Sequence, residues 1–280
     1  MTGKTVYFAN DTAAYHGGSF AASDYIRQEI AARGWHCVTE SDQRQIETEV
    51  IDRCDAVLVN GEGTLHRSKP RAQHLLRLLE TAQDLGKLTC LCNASWFDMC
   101  NDFDPILQRL DHFSVREPLS RTRLRDQHGV DPELFLDLSY WHPTEVGQAP
   151  ETRFLTTDLY AHEFDCFVHL KGGAISDLPF LDMRSLTWPE TLARVNATKV
   201  LITGRFHGLM AACRTRTRFI AYPGNTPKLD GVLEWFGSDL PLERDPRALV
   251  TRMRQSHRDG GFYQAFFDWV AEREQWRFPF

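Results

Sequence analysis

Short apolar runs alternate with longer amphipathic stretches from one end of this chain to the other, and few folds accept that pattern. "TVYFA" (5–9), "CVT" (37–39), "DAVLVN" (55–60), "KLTCLC" (87–92), "HFSVR" (112–116) and "LFLDL" (134–138) read as strands. Between them a stretch from about Phe20 to Arg33, "IETEVIDRC" (46–54), "PRAQHLLRLLETAQDLG" (70–86) and "PLSRTRLRDQHG" (118–129) read as helices. Pro70 opens its helix and Gly86 closes it, as start and stop chemistry predicts. Strands that alternate with helices build βαβ units, hence a mostly parallel sheet with helices on both faces.

The stretch "YWHPTEVGQAPET" (140–152) breaks the pattern with two prolines and a glycine, and marks a domain boundary. The theme then resumes. "CFVHL" (166–170), "KVLIT" (199–203) and "RFIAY" (218–222) read as strands, and "WPETLARVN", "HGLMAACRT" and "TPKLDGVLEWFG" as helices, with a helical end from about Asp245. A chain of 280 residues suffices for two ordinary domains. The expectation is an α/β protein of two Rossmann-like domains, residues 1–145 and 146–280, whose parallel sheets face a cleft.

Composition narrows the function classes. The formal charge is −6 and the Lys and Arg residues gather into no basic block, so nucleic acid is not an expected partner. Seven cysteines, an odd number in a chain too large to be a disulfide scaffold, read as reduced thiols of a cytoplasmic protein. Cys90 and Cys92 share a strand face, but no second pair completes a zinc site, and no metal is expected. The N-terminus runs into a strand with no signal-peptide pattern, and no apolar run reaches the roughly 20 residues that cross a bilayer. The aromatic "EREQWRFPF" permits at most peripheral membrane contact; its plainer reading is a frayed or docked helix end. The oligomeric state is left open.

Ligands of open α/β sheets bind beyond the carboxyl ends of the strands, which selects four loops. In "NDTAAYHGGSF" (10–20), Asn10 and His16 follow a strand, and Gly17 and Gly18 open a helix whose N–H groups can hold an anion or a sugar's polar rim. In "NGEGTLHRS" (60–68), two glycines bracket Glu62, a candidate general base, with His66 close behind. The bland alternative makes Glu62 a helix cap. In "SVREPLS" (114–120), Arg116 offers a fork for a carboxylate or phosphate, or else pairs with a nearby acid. Asp137 of "LDLSY" is such an acid.

The fourth loop lies in "ITGRFHGLMAAC" (202–213), a buried strand that turns into a helix. Arg205 and the positive end of the following helix can together bind a phosphate. His207 titrates near neutral pH and suits proton transfer; alone it would read as a packing histidine beside Gly208.

"VNGEGTLH", "SVREPLSRTRL", "DLSY", "ITGRFHGLMAA" and "NTPKLDGVLEWFG", in this order and over most of the chain, resemble the polysaccharide pyruvyl transferase family. The Arg-x-His-Gly turn is the most specific of these elements. The first loop departs from the family, with "NDTAAYHGGSF" in place of an Asn-x-Gly-Asp type of motif. The resemblance implies a fold like that of GT-B glycosyltransferases, phosphoenolpyruvate as donor, a sugar hydroxyl pair on a glycan as acceptor, and a place in surface polysaccharide biosynthesis. It carries anion contacts onto Arg116, Arg205, Phe206 (through its backbone) and His207, and its C-terminal motif contains Lys228. No cofactor is implied.

Two other readings share these residues. A glycosyltransferase with a nucleotide-activated sugar would use the same arginine and helix terminus, with a nucleotide pocket around "HLKGGAISD" (169–177) and "YPGNTPK". A non-catalytic glycan-assembly module would bind without turnover.

Overall fold

The computed structural model describes residues 3–40, 48–169, 177–237, 242–256 and 260–280. The chain falls into two compact units. The first holds Met1–Ala14, Ala22–Trp141 and Glu274–Phe280, and the second holds Tyr15–Ala21 and His142–Arg273. A single cut after residue 145 therefore leaves out two exchanges, residues 15–21 and the C-terminal tail.

The first unit is built on six strands: β1 (Thr5–Ala9), β2 (His36–Glu40), β3 (Ala56–Asn60), β4 (Leu88–Ala94), β5 (His112–Val115) and β6 (Glu133–Leu134). Their order is β2-β1-β3-β4-β5-β6, and every pair is parallel. The accompanying helices are α1 (Gly17–Ala32), α2 (Thr48–Arg53), α3 (Pro70–Asp84), α4 (Asp104–Leu107), α5 (Pro118–His128) and α6 (Leu138–Trp141). The start of α1 groups with the second unit.

Side-chain alternation explains why these strands read as unbroken apolar runs. Tyr7, Ala9, Val57, Val59 and Leu91 point to one face and pack with Leu75, Leu76 and Leu79 of α3. Their neighbours Val6, Phe8, Ala56, Leu58, Cys90 and Cys92 point to the other, against Ala22, Tyr25, Ile26 and Ile30 of α1. A strand buried on both faces needs no polar side, as expected of a doubly wound parallel sheet. Pro70 stands at the start of α3, and Gly86 takes a left-handed φ of 68° just past its end. Cys90 and Cys92 are wholly buried in apolar surroundings, and burial pushes the Cys90 thiol well up.

The second unit contains β7 (Thr152–Thr156), β8 (Leu159–Ala161), β9 (Cys166–Val168), α7 (Trp188–Asn196), β10 (Thr198–Thr203), α8 (Phe206–Thr215), β11 (Arg218–Ala221), α9 (Lys228–Trp235), α10 (Leu249–Gln255) and α11 (Gly260–Ala271). A parallel sheet of order β11-β10-β7 carries this unit, and β8 and β9 pair antiparallel on their own. Leu159, Val200, Ile202, Ile220, Tyr222 and Leu249 form one buried cluster. Every residue of α8 from Phe206 to Cys213 is buried.

Three sequence expectations are corrected. "LFLDL" gives only Leu134 to a strand, because Asp137 accepts from the Ser139 N–H (3.0 Å) and turns the chain into α6. "CFVHL" joins no parallel sheet: Asp165, at φ 48°, turns the chain back so that β9 pairs with β8. The C-terminal "EREQWRFPF" leaves the helix after Ala271 and docks as a non-helical tail, with Trp276 and Phe278 fully buried in the α1 side of the first core. Strand β7 went unread, since only its last two residues are buried and it follows the Pro-rich boundary. Of "IETEVIDRC", residues 46–47 lie outside the described residues, as do residues 170–176 of "HLKGGAISD".

Candidate functional site

In the first unit the chain reverses its direction of travel across the sheet between β1 and β3, the switch point where open parallel sheets take their ligands. Asn10 leaves β1 with a left-handed φ of 58°, Glu62 follows β3 at φ 36°, and Asn93 sits near the end of β4 at φ 55°. Non-glycine residues held there carry strain, and such strain gathers at functional sites.

A buried polar network joins the three loops. The Asn10 amide donates to the Asn60 carbonyl (2.5 Å) and to Thr64 Oγ1 (3.0 Å), while its oxygen accepts from Arg71 Nε (3.2 Å) and Nη2 (2.9 Å). Asn93 Nδ2 donates to Asn60 Oδ1 (3.3 Å), Asn60 Nδ2 donates to Thr12 Oγ1 (3.4 Å), and Thr12 donates to the Glu62 carboxylate. Asn10 is thus an orienting residue whose amide is used within the protein. Glu62 is 6 % exposed and hydrogen-bonded, not a helix cap. The close approach implied by Gly61 is to the protein itself: a Cβ there would lie 2.6 Å from that of Ala94. His66 directs Nδ1–H to the Gly63 carbonyl (2.9 Å).

Arg116 follows the bland alternative. It is 1 % exposed, with Nη1 on Asp137 Oδ2 at 2.6 Å and Nε on Ser95 at 2.8 Å. The anion contact implied for it meets a guanidinium already held by a buried carboxylate. Beside it, burial pushes the Glu117 carboxyl up, against hydrogen bonds from Ser120 and the charges of Arg123 and Arg116.

The second unit gathers the remaining candidates around the start of α8. Thr203 ends β10, and its hydroxyl accepts from the Arg205 N–H (3.0 Å) and contacts Thr157 Oγ1 (2.8 Å). A Cβ on Gly208 would collide with that hydroxyl, and one on Gly204 would lie 2.9 Å from Leu159 Cα. The "TGRFHG" turn is therefore tied down by its own threonine and spaced by two glycines that no larger residue replaces. Arg205 is the N-cap of α8 without capping it through its side chain, which leaves the positive end of the helix dipole beside the guanidinium.

His207 is 6 % exposed, and its ring centroid stands 4.8 Å from that of His16, edge-on. His16 Nδ1 accepts from the Ser19 N–H (3.1 Å), which puts the proton of a neutral ring on Nε2. The Gly17–Gly18 pair allows this packing. A Cβ on Gly18 would lie 2.5 Å from His207 Cγ, and one on Gly17 2.6 Å from the Trp188 N. Lys228 opens α9, donates to Asn225 Oδ1 (3.1 Å) and stands 6.0 Å from the Phe206 ring.

Thr12, Asn60 and Asn93 escaped the sequence reading because single polar residues at or just past strand ends carry no pattern, and Arg71 because an arginine in the first turn of α3 reads as a solvated helix residue. Asp158 escaped it because β7 did: once "TRFLT" is a strand, "TD" after it marks a site loop as plainly as "GR" does after β10.

A model of the polysaccharide pyruvyl transferase family matches residues 5–225. No curated protein matches the chain. Among solved structures, an uncharacterised protein from Klebsiella pneumoniae is similar with a TM-score of 0.56 at 11% identity, covering 84% of this chain and 88% of that one. A protein described as a candidate UDP-N-acetylglucosamine 2-epimerase from Listeria monocytogenes gives 0.57 at 10% identity, over 98% and 92%. The glycotransferase of kitacinnamycin gives 0.52 at 11% identity, over 96% and 94%. At these identities the likeness is one of fold, and it agrees with the Rossmann-like, GT-B-like architecture expected from the sequence.

Proposed function

The chain belongs to the polysaccharide pyruvyl transferase family, and from that premise we propose that it moves the pyruvyl group of phosphoenolpyruvate onto two hydroxyls of a glycan sugar, closing a ketal. The observation that carries this reading is the β10–α8 turn. It sets Arg205, a helix dipole and the buried His207 within four residues of a strand end in the second unit.

Phosphoenolpyruvate is a polyanion, and it needs fixed positive groups rather than a metal-free apolar wall. Arg205 and the amide end of α8 meet one anionic group as a charge-assisted, directional contact. Lys228, beside Phe206, is the second cation of this neighbourhood. Protonation of the donor's methylene carbon gives an oxocarbenium-like centre, which one sugar hydroxyl attacks. The C–O bond to phosphate then breaks, the second hydroxyl closes the ring, and inorganic phosphate leaves. Of the two hydroxyl protons, one is balanced by the new methyl group and the other by the departing phosphate.

His207 is assigned the proton delivery or the neutralisation of the leaving phosphate, since imidazole is the side chain that exchanges a proton most readily near neutral pH. His16, edge-on at 4.8 Å, fixes the ring's place. In the first unit, Glu62 is assigned the acceptor hydroxyl's proton, with the asparagine network around it as the acceptor side. Arg116 receives no donor contact, because its side chain is buried to 2% exposure together with the Asp137 carboxylate that holds it. None of the seven cysteines forms a disulfide, and no helix among the described residues is long and apolar enough to cross a membrane.

Binding tests the donor first. Phosphoenolpyruvate, CMP, UDP and GDP are compared by thermal shift on the wild type and on Arg205→Ala. A ligand at about 100 times its Kd adds about 2.7 kcal/mol to stability. Stabilisation by phosphoenolpyruvate that Arg205→Ala removes is the expected result. Stabilisation by one nucleotide alone makes the protein a glycosyltransferase instead.

A further inference from the structure

Arg205 does not project freely from its turn. Its Nε donates to Asp158 Oδ1 at 2.7 Å and its Nη2 to Asp158 Oδ2 at 2.6 Å, a two-pronged contact. Its Cζ stands 4.0 Å from the centroid of the Phe167 ring. We propose that Asp158 and Phe167 are positioning residues for Arg205, holding its guanidinium in one plane so that Nη1, which no described side chain or carbonyl engages, is offered to the anionic group of the donor. The inference rests on the donor-binding role given to the β10–α8 turn.

The backbone explains how the three residues meet. Parallel pairing of β7 with β10 continues past both strand ends, through Thr157 N–H to the Ile202 carbonyl (2.9 Å) and Gly204 N–H to the Asp158 carbonyl (3.4 Å). Asp158 and Arg205 are thereby brought out on adjacent strand ends with their side chains in reach. Gly204 is what lets the two turns approach this closely, with a Cβ position only 2.9 Å from Leu159 Cα. Phe167 arrives from β9, paired opposite Tyr160.

A carboxylate on one edge and a ring on one face remove most of the rotamer freedom of an arginine. What remains is a donor edge whose direction is fixed before the ligand comes. The side chains of Arg205 and Asp158 keep 18% and 12% of their exposure, so the pair is shielded without being sealed from a ligand. A second carboxylate, Asp182, lies within the field of Arg205. Burial works against its charge, yet hydrogen bonds from Arg184 and the two arginine charges hold it below the usual range.

Two readouts test this on the whole protein. The Arg205 Nε–H signal in 15N-correlated NMR reports whether the guanidinium is held. Titration with phosphoenolpyruvate and, separately, with UDP reports whether holding it matters. The expected results are a slowly exchanging Nε–H in the wild type that joins the exposed arginines in Asp158→Asn. Probe affinity should fall up to about tenfold in that variant, the entropy of one re-ordered side chain. Asp158→Glu should recover both. Phe167→Leu, on a half-exposed strand and away from the core, supplies the same test should Asp158→Asn misfold, with a smaller loss in the same direction. Fast exchange in the wild type, unchanged or tighter binding in Asp158→Asn, or no binding of either probe to the wild type overturns the inference. Binding of UDP and not phosphoenolpyruvate, still dependent on Asp158, leaves the inference standing and overturns the donor reading.

Discussion

Gly208 shows how tightly the turn is specified at the scale of one residue. Its missing side chain is replaced in space by the Thr203 hydroxyl, which also holds the Arg205 N–H. Gly208→Ala therefore forces overpacking, at a cost of about 1–3 kcal/mol in urea denaturation. Thr203→Ala removes the obstruction, so the double variant should be more stable than the sum of the two single losses predicts. Additive losses would mean that the two residues do not share that space. The sequence announces this turn through residue identity alone, since a glycine on either side of an Arg-x-His on a strand end is hard to explain by packing averages. Its partner Asp158 is invisible there, because a pairing across 47 positions leaves no local trace.

At the scale of elements, two contacts hold the first unit's edges. The Arg116–Asp137 pair is almost wholly buried and joins the end of β5 to the start of α6. Asp137→Ala leaves the guanidinium buried without its counter-charge, and the expected loss is about 3–5 kcal/mol by urea denaturation. A loss below about 1 kcal/mol would show that water or another acid reaches Arg116. The second contact docks the C-terminal tail, where Trp276 Nε1 donates to His112 Nε2 at 3.2 Å. Burial pulls the His112 pKa below its usual value, although Glu133, 3.3 Å away, works to raise it. The folded state therefore takes up this proton less readily than the unfolded one. Its contribution to stability is complete above about pH 6.5 and is lost as the pH falls through the lower, folded value. The indole N–H signal of Trp276 should broaden and its exchange accelerate over that window, and His112→Gln, which keeps an acceptor, should remove the pH dependence. A tail signal indifferent to pH in the wild type contradicts this.

Elements with strong apolar patterns are legible: β1, β3, β4 and β10 follow from burial on both strand faces, α3, α5 and α7 from Pro or Gly at helix ends, and α8 from its apolar run Leu209–Cys213. Those that failed had their conformation set by a pairing or packing partner rather than by their own apolar pattern. β7 gains its place from β10, β9 from β8, and the tail from a core assembled mostly from residues below 60.

For the whole molecule, the two units bear different burdens. The first meets the sheet's switch point with asparagine amides, a threonine, one buried carboxylate and Arg71, whose guanidinium is turned onto Asn10, a largely neutral set suited to hydroxyls. The second meets its strand ends with arginine, histidine and a helix dipole, groups suited to anions. Strand-end loops carrying these groups could be picked out in the sequence, because apolar runs mark where strands stop. Which side chains would be consumed internally could not, as Asn10 and Arg116 show: each looks like a ligand group until its partners Arg71 and Asp137 are in place. On this division of groups, we propose pyruvyl transfer from phosphoenolpyruvate held at the second unit's turn. Its most direct test is mass spectrometry of a panel of galactose-, mannose- and N-acetylhexosamine-terminated oligosaccharides incubated with the enzyme and phosphoenolpyruvate, with inorganic phosphate measured alongside. One glycan should gain a pyruvate less one water for each phosphate released, with no gain for His207→Ala or Arg205→Ala. A glycan that gains a hexose from a nucleotide sugar, and nothing from phosphoenolpyruvate, would contradict it.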